Sequence, residues 1–209
     1  MYLIALSMIF STLLITANIT AVKIIQFGPG GIDAGIIAYP FTFLISDIIS
    51  EVYGKKTATK IIWLGFIASI LMTSMIYLAG LLPSASFWED QSSYDTILGA
   101  VPRIVVASMI AYLISQHHDV FAFDFWKKYT KGKYLWLRNN ASTLVSQAID
   151  TVIFVIVAFF GVYNNSELWD MIWMTYIIKL GVAVLDTPLI YLIVWKLKEI
   201  EKENLRRND

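Results

Sequence analysis

The sequence predicts an all-α, polytopic membrane protein with six transmembrane helices in one integral membrane domain, residues 1–209. Three observations carry that prediction. Hydrophobic residues make up 57% of the chain and the mean hydropathy is +0.65, too apolar for a soluble domain of this size. The apolar residues gather into six runs near spanning length, at 2–25, 36–53, 60–82, 97–117, 140–162 and 171–196. Basic residues collect between alternate runs: Lys55, Lys56 and Lys60; Lys127, Lys128, Lys131, Lys133 and Arg138; and Lys196, Lys198, Lys202, Arg206 and Arg207. The other loops hold Asp33, then Glu89, Asp90, Asp95 and Arg103, then Glu167 and Asp170. The positive-inside rule therefore puts the basic loops and both termini in the cytoplasm, with the chain in the plasma (inner) membrane.

The first run lacks a basic n-region and is long enough to span, so it reads as a first helix rather than a cleavable signal. It carries Ser7, Ser11 and Asn18 on one face, with Lys23 near its outer end, where it either snorkels to the headgroups or joins a site. Gly28-Pro29-Gly30-Gly31 follows. No strand precedes it and the spacing of a phosphate loop is absent, so a tight outer turn is expected. The second run contains Asp47 and Glu51 at i, i+4, two carboxylates on one helical face. Adjacent anions raise one pKa, which suits a proton or cation site; the alternative is neutralisation by Lys55, Lys56 or a neighbouring helix.

The third run has only weak hydroxyl polarity and reads as scaffold. Phe87, Trp88 and Tyr94 in the next outer loop suit the membrane interface. The fourth run ends in Gln116-His117-His118-Asp119, whose adjacent histidines point in different directions on a helix and do not make a ligand pair. The following segment to Trp136 mixes aromatic and charged residues and is expected to lie as a short amphipathic piece along the cytoplasmic interface.

The fifth run is the one with a polar seam. Asn139, Thr143, Ser146, Gln147 and Asp150 fall within roughly a 100° arc of a helix. Asp150 lies about 16 Å from Asn139 along the axis, close to mid-membrane. An ionised carboxylate at that depth costs on the order of 3 kcal/mol, so it needs a partner, a water cavity or a ligand. The bland alternative is an internal contact that only fixes helix packing. The sixth run carries Lys179 and Asp186 seven residues apart on one face, with Thr175 and Tyr176 beside them and Pro188 marking a kink. Lys179 is placed to meet Asp150.

This inventory excludes several classes. Without cysteine there is no disulfide, thiolate catalysis or cysteine metal site, and neither Gly-x-Ser-x-Gly nor His-Glu-x-x-His occurs, so no enzyme, metal or cofactor is indicated. Nothing points to nucleic acid. No repeated pore-lining element suggests a channel. A small-molecule carrier is the class that remains, with four carboxylates (Asp47, Glu51, Asp150, Asp186) against two lysines (Lys23, Lys179) inside the spans.

PFTFLISDIISEVYGKK, QHHDVFAFDFWKK and LWLRNNASTLVSQAIDTVIF, together with TANITAVKI and Asp186-Thr187-Pro188, resemble the signature segments of the queuosine precursor transporter family. These are vitamin-uptake-like, six-helix membrane proteins, and the resemblance spans nearly the whole chain. His117-His118 departs from the pattern, since apolar residues are expected there in relatives. The resemblance implies uptake of 7-deazaguanines such as preQ0 and preQ1, precursors of a tRNA modification, and a fold similar to the substrate-binding subunits of energy-coupling-factor transporters. A carboxylate can accept the adjacent N–H donors of a guanine-like edge, and aromatic rings can stack on its face. The candidate substrate-binding residues are Asp150, Gln147, Asn140, Asn139, Glu51, Asp47, Asn18, Lys179 and Asp186, with Tyr39, Phe43 or Tyr176 for stacking. Two modes stay open: a self-sufficient carrier, or a binding subunit served by a separate ATP-driven module. Ala-rich fragments such as Ala17 to Ala21 are the sole small-residue stretches suited to docking such a module, and a homo-oligomer is equally open.

Overall fold

The computed structural model describes residues 2–28, 30–129, 135–182, 193 and 195–196, with side chains described except at 119, 120, 123, 124, 126–129 and 135–143. The long apolar runs become helices because, without water to serve backbone groups, a helix satisfies its N–H and C=O groups internally. They are α1 (Tyr2–Thr20), α2 (Tyr39–Tyr53), α3 (Lys55–Gly80), a short α4 (Gln91–Leu98), α5 (Val101–Tyr129), α6 (Leu135–Phe159) and α7 (165–182). Among the described residues three stretches, Tyr2–Thr20, Lys55–Gly80 and Gln91–His118, are long and apolar enough to cross a bilayer. Large apolar side chains point outward along them: Leu64, Ile67, Leu71, Met75 and Leu78 of α3 are all exposed. A soluble domain would bury such a stripe, so this is a helical membrane protein.

The first two runs end differently from the sequence expectation. α1 stops at Thr20, and the chain forms an antiparallel hairpin of β1 (Ile24–Phe27) and β2 (Gly30–Asp33), with Phe27 opposite Gly30 and Ile24 opposite Asp33. The expected tight turn is therefore the tip of a hairpin, where Gly28 sits at φ +58°. A 3-10 turn (Ala34–Ile37) follows, so the second run becomes helical only at Tyr39. The resulting 15-residue α2 is about 22 Å long, short of the roughly 30 Å of a bilayer core. Glycine permits this packing. A Cβ on Gly35 would stand 2.7 Å from the Ala17 carbonyl oxygen and 2.8 Å from Asp33 Oδ1. Gly54, at φ +88°, joins α2 to α3 in a single residue.

The fourth run also differs. α5 continues helically to Tyr129, so no separate interfacial piece begins after residue 118. At 29 residues, about 44 Å, it overhangs a bilayer core. α5 and α6 run antiparallel, and among the described residues polar side chains tie them at three places. At one end Arg103 Nε and Nη2 donate to the carbonyls of Val157 and Phe160 at 2.7 and 2.6 Å, placing a cation on the C-terminal carbonyls of α6. Mid-helix, Ser115 Oγ meets Asp150 Oδ1 at 3.4 Å; further on, His118 Nδ1 lies 3.0 Å from Ser146 Oγ.

Two apolar cores flank the middle of the molecule. One joins Phe10 and Leu14 of α1 to Ile45 and Ile49 of α2 and Ile61 and Phe66 of α3. The other joins Ala21 to Ile104 and Ala107 of α5, Val155 and Phe159 of α6, and Leu168 and Met171 of α7. α1 packs in the first core and the chain enters the second at Ala21, just past the end of that helix, with polar residues gathered between the two.

Candidate functional site

Asp150 is 7% exposed and Lys179 9% exposed, and Lys179 Nζ donates to Asp150 Oδ2 at 2.8 Å. The pairing anticipated from helical phase is real. It answers the cost of each buried charge, since either alone in a low-dielectric interior would lose far more hydration than the protein returns. Tyr39, the first residue of α2, donates its hydroxyl to the same Oδ2 at 3.2 Å. Its ring lies beneath Lys179, with Nζ 4.6 Å from the centroid, and Phe43 packs edge-on against it at 4.6 Å. Late initiation of α2 thus brings a tyrosine to the ion pair.

These groups line a cavity of about 50 Å³, room for roughly three to five water molecules by that measure. Its wall includes Asn18 of α1, Ser108 of α5, Phe154 of α6 and Thr175 of α7, beside Asp33, Tyr39, Asp150 and Lys179. Asn18, 4% exposed, is also held by Ser69 Oγ at 3.4 Å. Thr175 is 2% exposed and its hydroxyl has no hydrogen-bond partner among the described residues. An orphaned hydroxyl on a cavity wall is a binding capacity left open.

Asp33 is the residue that sequence reasoning missed. It lies between the first and second spanning segments and read as an outer-loop acid, yet it is 5% exposed and on the cavity wall. Burial pushes its carboxyl from the ordinary 3.8 up to about 6, against the opposing pull of Lys179 and of the backbone N–H of Gly35. Loop acids give no periodic signal. The one hint was the buried apolar context, Ile32 before it and Ala34-Gly35 after it.

The remaining candidates divide. Asn18, Asp150 and Lys179 converge on the cavity. Gln147 lies one turn from Asp150, its buried Oε1 unpartnered, but it is not on the cavity wall. Asp47 and Glu51 are exposed and likewise off the wall; the shortness of α2 leaves Glu51 two residues from its end. Of the aromatics, Tyr39 lines the cavity, whereas Tyr176 turns its hydroxyl to the Leu144 carbonyl at 3.2 Å. The side chains of Asn139, Asn140 and Thr143, and Asp186 altogether, lie outside the described residues. His117 bonds the Leu113 carbonyl while His118 bonds Ser146, so the two rings serve different partners.

Apolar helices around a central polar chamber with a buried ion pair define the class of polytopic membrane carriers. Residues 33–193 match the family described as "Putative vitamin uptake transporter", and the chain belongs to that family: it is a transporter, not an enzyme. It is 34% identical over 179 residues to a Bacillus subtilis (strain 168) protein named "Probable queuosine precursor transporter", covering 85% of this chain and 78% of that one. It is also 30% identical over 125 residues to the "Queuosine precursor transporter" of Escherichia coli (strain K12), covering 60% and 54%. No solved structure matches.

Proposed function

We propose that the protein imports queuosine precursors, the 7-deazaguanines preQ0 and preQ1, across the plasma (inner) membrane, through six spans with both termini cytoplasmic. The names carried by its relatives support this cargo. The observation that carries the site is the Lys179–Asp150–Tyr39 cluster on a cavity wall shared by α1, α2, α5, α6 and α7. Asp150 Oδ2 is taken by Lys179 and Tyr39, whereas among the described residues Oδ1 has only the long contact to Ser115, so Oδ1 is the oxygen with capacity to accept an N–H of a guanine-like edge. Asn18 offers a side-chain amide for the remaining polar atoms, and Tyr39 and Phe154 offer ring faces.

A two-ring base is larger than the cavity, so loading requires the wall to part. The hairpin, the 3-10 turn and the short α2 interrupt the helical run beside the central site, as the discontinuous helices that form carrier binding sites do. The test is uptake of labelled preQ1 by cells whose sole importer is this protein, with and without a protonophore. Saturable uptake competed by unlabelled preQ1 is expected. Absence of uptake by cells making correctly inserted protein would overturn the proposal.

A further inference from the structure

We propose that Asp33 selects cargo by charge: its carboxylate receives the ammonium of an amine-bearing deazaguanine, so the transporter prefers a cationic precursor to a neutral one. The inference rests on the import reading above and assigns a residue and a preference within it. The cavity wall carries two carboxylates, Asp33 and Asp150, against one lysine. Lys179 is committed to Asp150 at 2.8 Å and lies over the Tyr39 ring, and among the described residues no cation stands within ion-pair distance of Asp33. With both acids ionised the chamber is one positive charge short of neutrality. A buried uncompensated charge is costly, so the empty site favours a proton or a cationic guest.

The groups facing Asp33 leave the guest to supply that charge. α2 brings Tyr39, α6 brings Asp150 and α7 brings Lys179, while α1 and α5 bring the neutral Asn18 and Ser108. Thr175 is the independent sign of a ligand: one turn from Lys179 on the same face of α7, it turns an unpartnered, buried hydroxyl into the same chamber. An ammonium has three N–H donors. The two oxygens of Asp33 and the hydroxyl oxygen of Thr175 are acceptors of the matching kind. Of the two deazaguanines, preQ1 carries an aminomethyl group, protonated at neutral pH as a lysine side chain is, and preQ0 carries an uncharged nitrile. With the Asp33 carboxyl titrating near 6, the cationic guest displaces a proton from the acid, and the neutral guest leaves it in place.

The test is calorimetric titration of the purified full chain with preQ1 and with preQ0, at pH 7.5 and 5.5, each in two buffers of different ionisation enthalpy. At pH 7.5 the wild type is expected to bind preQ1 about tenfold or more tightly than preQ0. Asp33→Asn should abolish that preference by lowering preQ1 affinity about tenfold more than preQ0 affinity, and Asp33→Glu should retain it. At pH 5.5 preQ1 binding should release about three-quarters of a proton and preQ0 binding none. Equal affinity of the wild type for the two bases, no proton release with preQ1, or an equal loss of both bases in Asp33→Asn would overturn the assignment while leaving import intact. If Asp33→Asn does not fold, the wild-type comparison and proton count decide. Binding of neither base would remove the import reading itself and this inference with it.

Discussion

Lys179 and Asp150, 29 positions apart on α7 and α6, meet at 2.8 Å with neither side chain more than 10% exposed. Tyr39 completes the arrangement from α2, bonding the same carboxylate oxygen that the lysine holds. Three elements of the bundle are thereby tied at one point, and the polar cavity opens beside it.

Removing one partner of this pair leaves the other buried and unpaired, at a cost of about 3–5 kcal/mol. Lys179→Gln and Asp150→Asn should each lower the melting temperature of the detergent-solubilised protein by roughly 6–20 °C. The double variant should recover much of that loss, because no lone charge remains. Cargo binding should fail in all three. Single variants as stable as the wild type would show that water reaches the pair and pays no such penalty to the fold.

Gly35 and Gly65 offer a contrast. A Cβ at Gly35 meets backbone, the Ala17 carbonyl oxygen at 2.7 Å, whereas at Gly65 it meets the flexible end of Leu14 at 2.9 Å and the Phe10 ring at 3.0 Å. Gly35→Ala should cost about 1–3 kcal/mol and displace the hairpin that carries Asp33; Gly65→Ala should cost less. Thermal melts of the two variants, read with preQ1 affinity, check the order.

The Asp33 carboxyl gives stability a sign with pH. Because its folded pKa is raised, from 3.8 to about 6, its contribution is fully present below 3.8 and is lost as pH rises through 6. The change corresponds to about 3 kcal/mol. Denaturation of the wild type minus that of Asp33→Asn, followed from pH 4 to 7.5, should fall by that order; a flat difference would mean that Asp33 is solvated in the protein as it is in the unfolded chain.

Topology is open to reporter fusions. Cytoplasmic signals are expected after Lys60, Lys133 and Asp209, and exterior signals after Asp90 and Ser166. On the first outer segment the insertion belongs at Gly28, the exposed hairpin tip, because Asp33 is buried. Reversed signals at any two sites would contradict the six-span arrangement.

Much of this was legible in the sequence. Helical phase put Asp150 on an inward seam and set Lys179 to meet it, because a 3.6-residue period survives in an apolar run and buried charges demand partners. The hairpin and late start of α2 were not legible: short apolar runs can be drawn as a helix or as strands, and tertiary packing such as that of Gly35 against Ala17 decides between them. Asp33 was hidden for the same reason. Ser115 went unremarked because a lone hydroxyl in an apolar helix usually bonds its own backbone, as Ser115 also does to the Tyr112 carbonyl at 3.2 Å. The acids Asp47 and Glu51 looked buried only while the second run was taken as a full span.

The most direct test is a time course of labelled preQ1 entering proteoliposomes that contain this protein alone. Saturable entry is expected, competed by unlabelled preQ1 and lost in Asp150→Asn, with the inactive variant confirmed to be inserted. Entry that is absent from wild-type proteoliposomes, or that proceeds undiminished in Asp150→Asn, would contradict the proposed import.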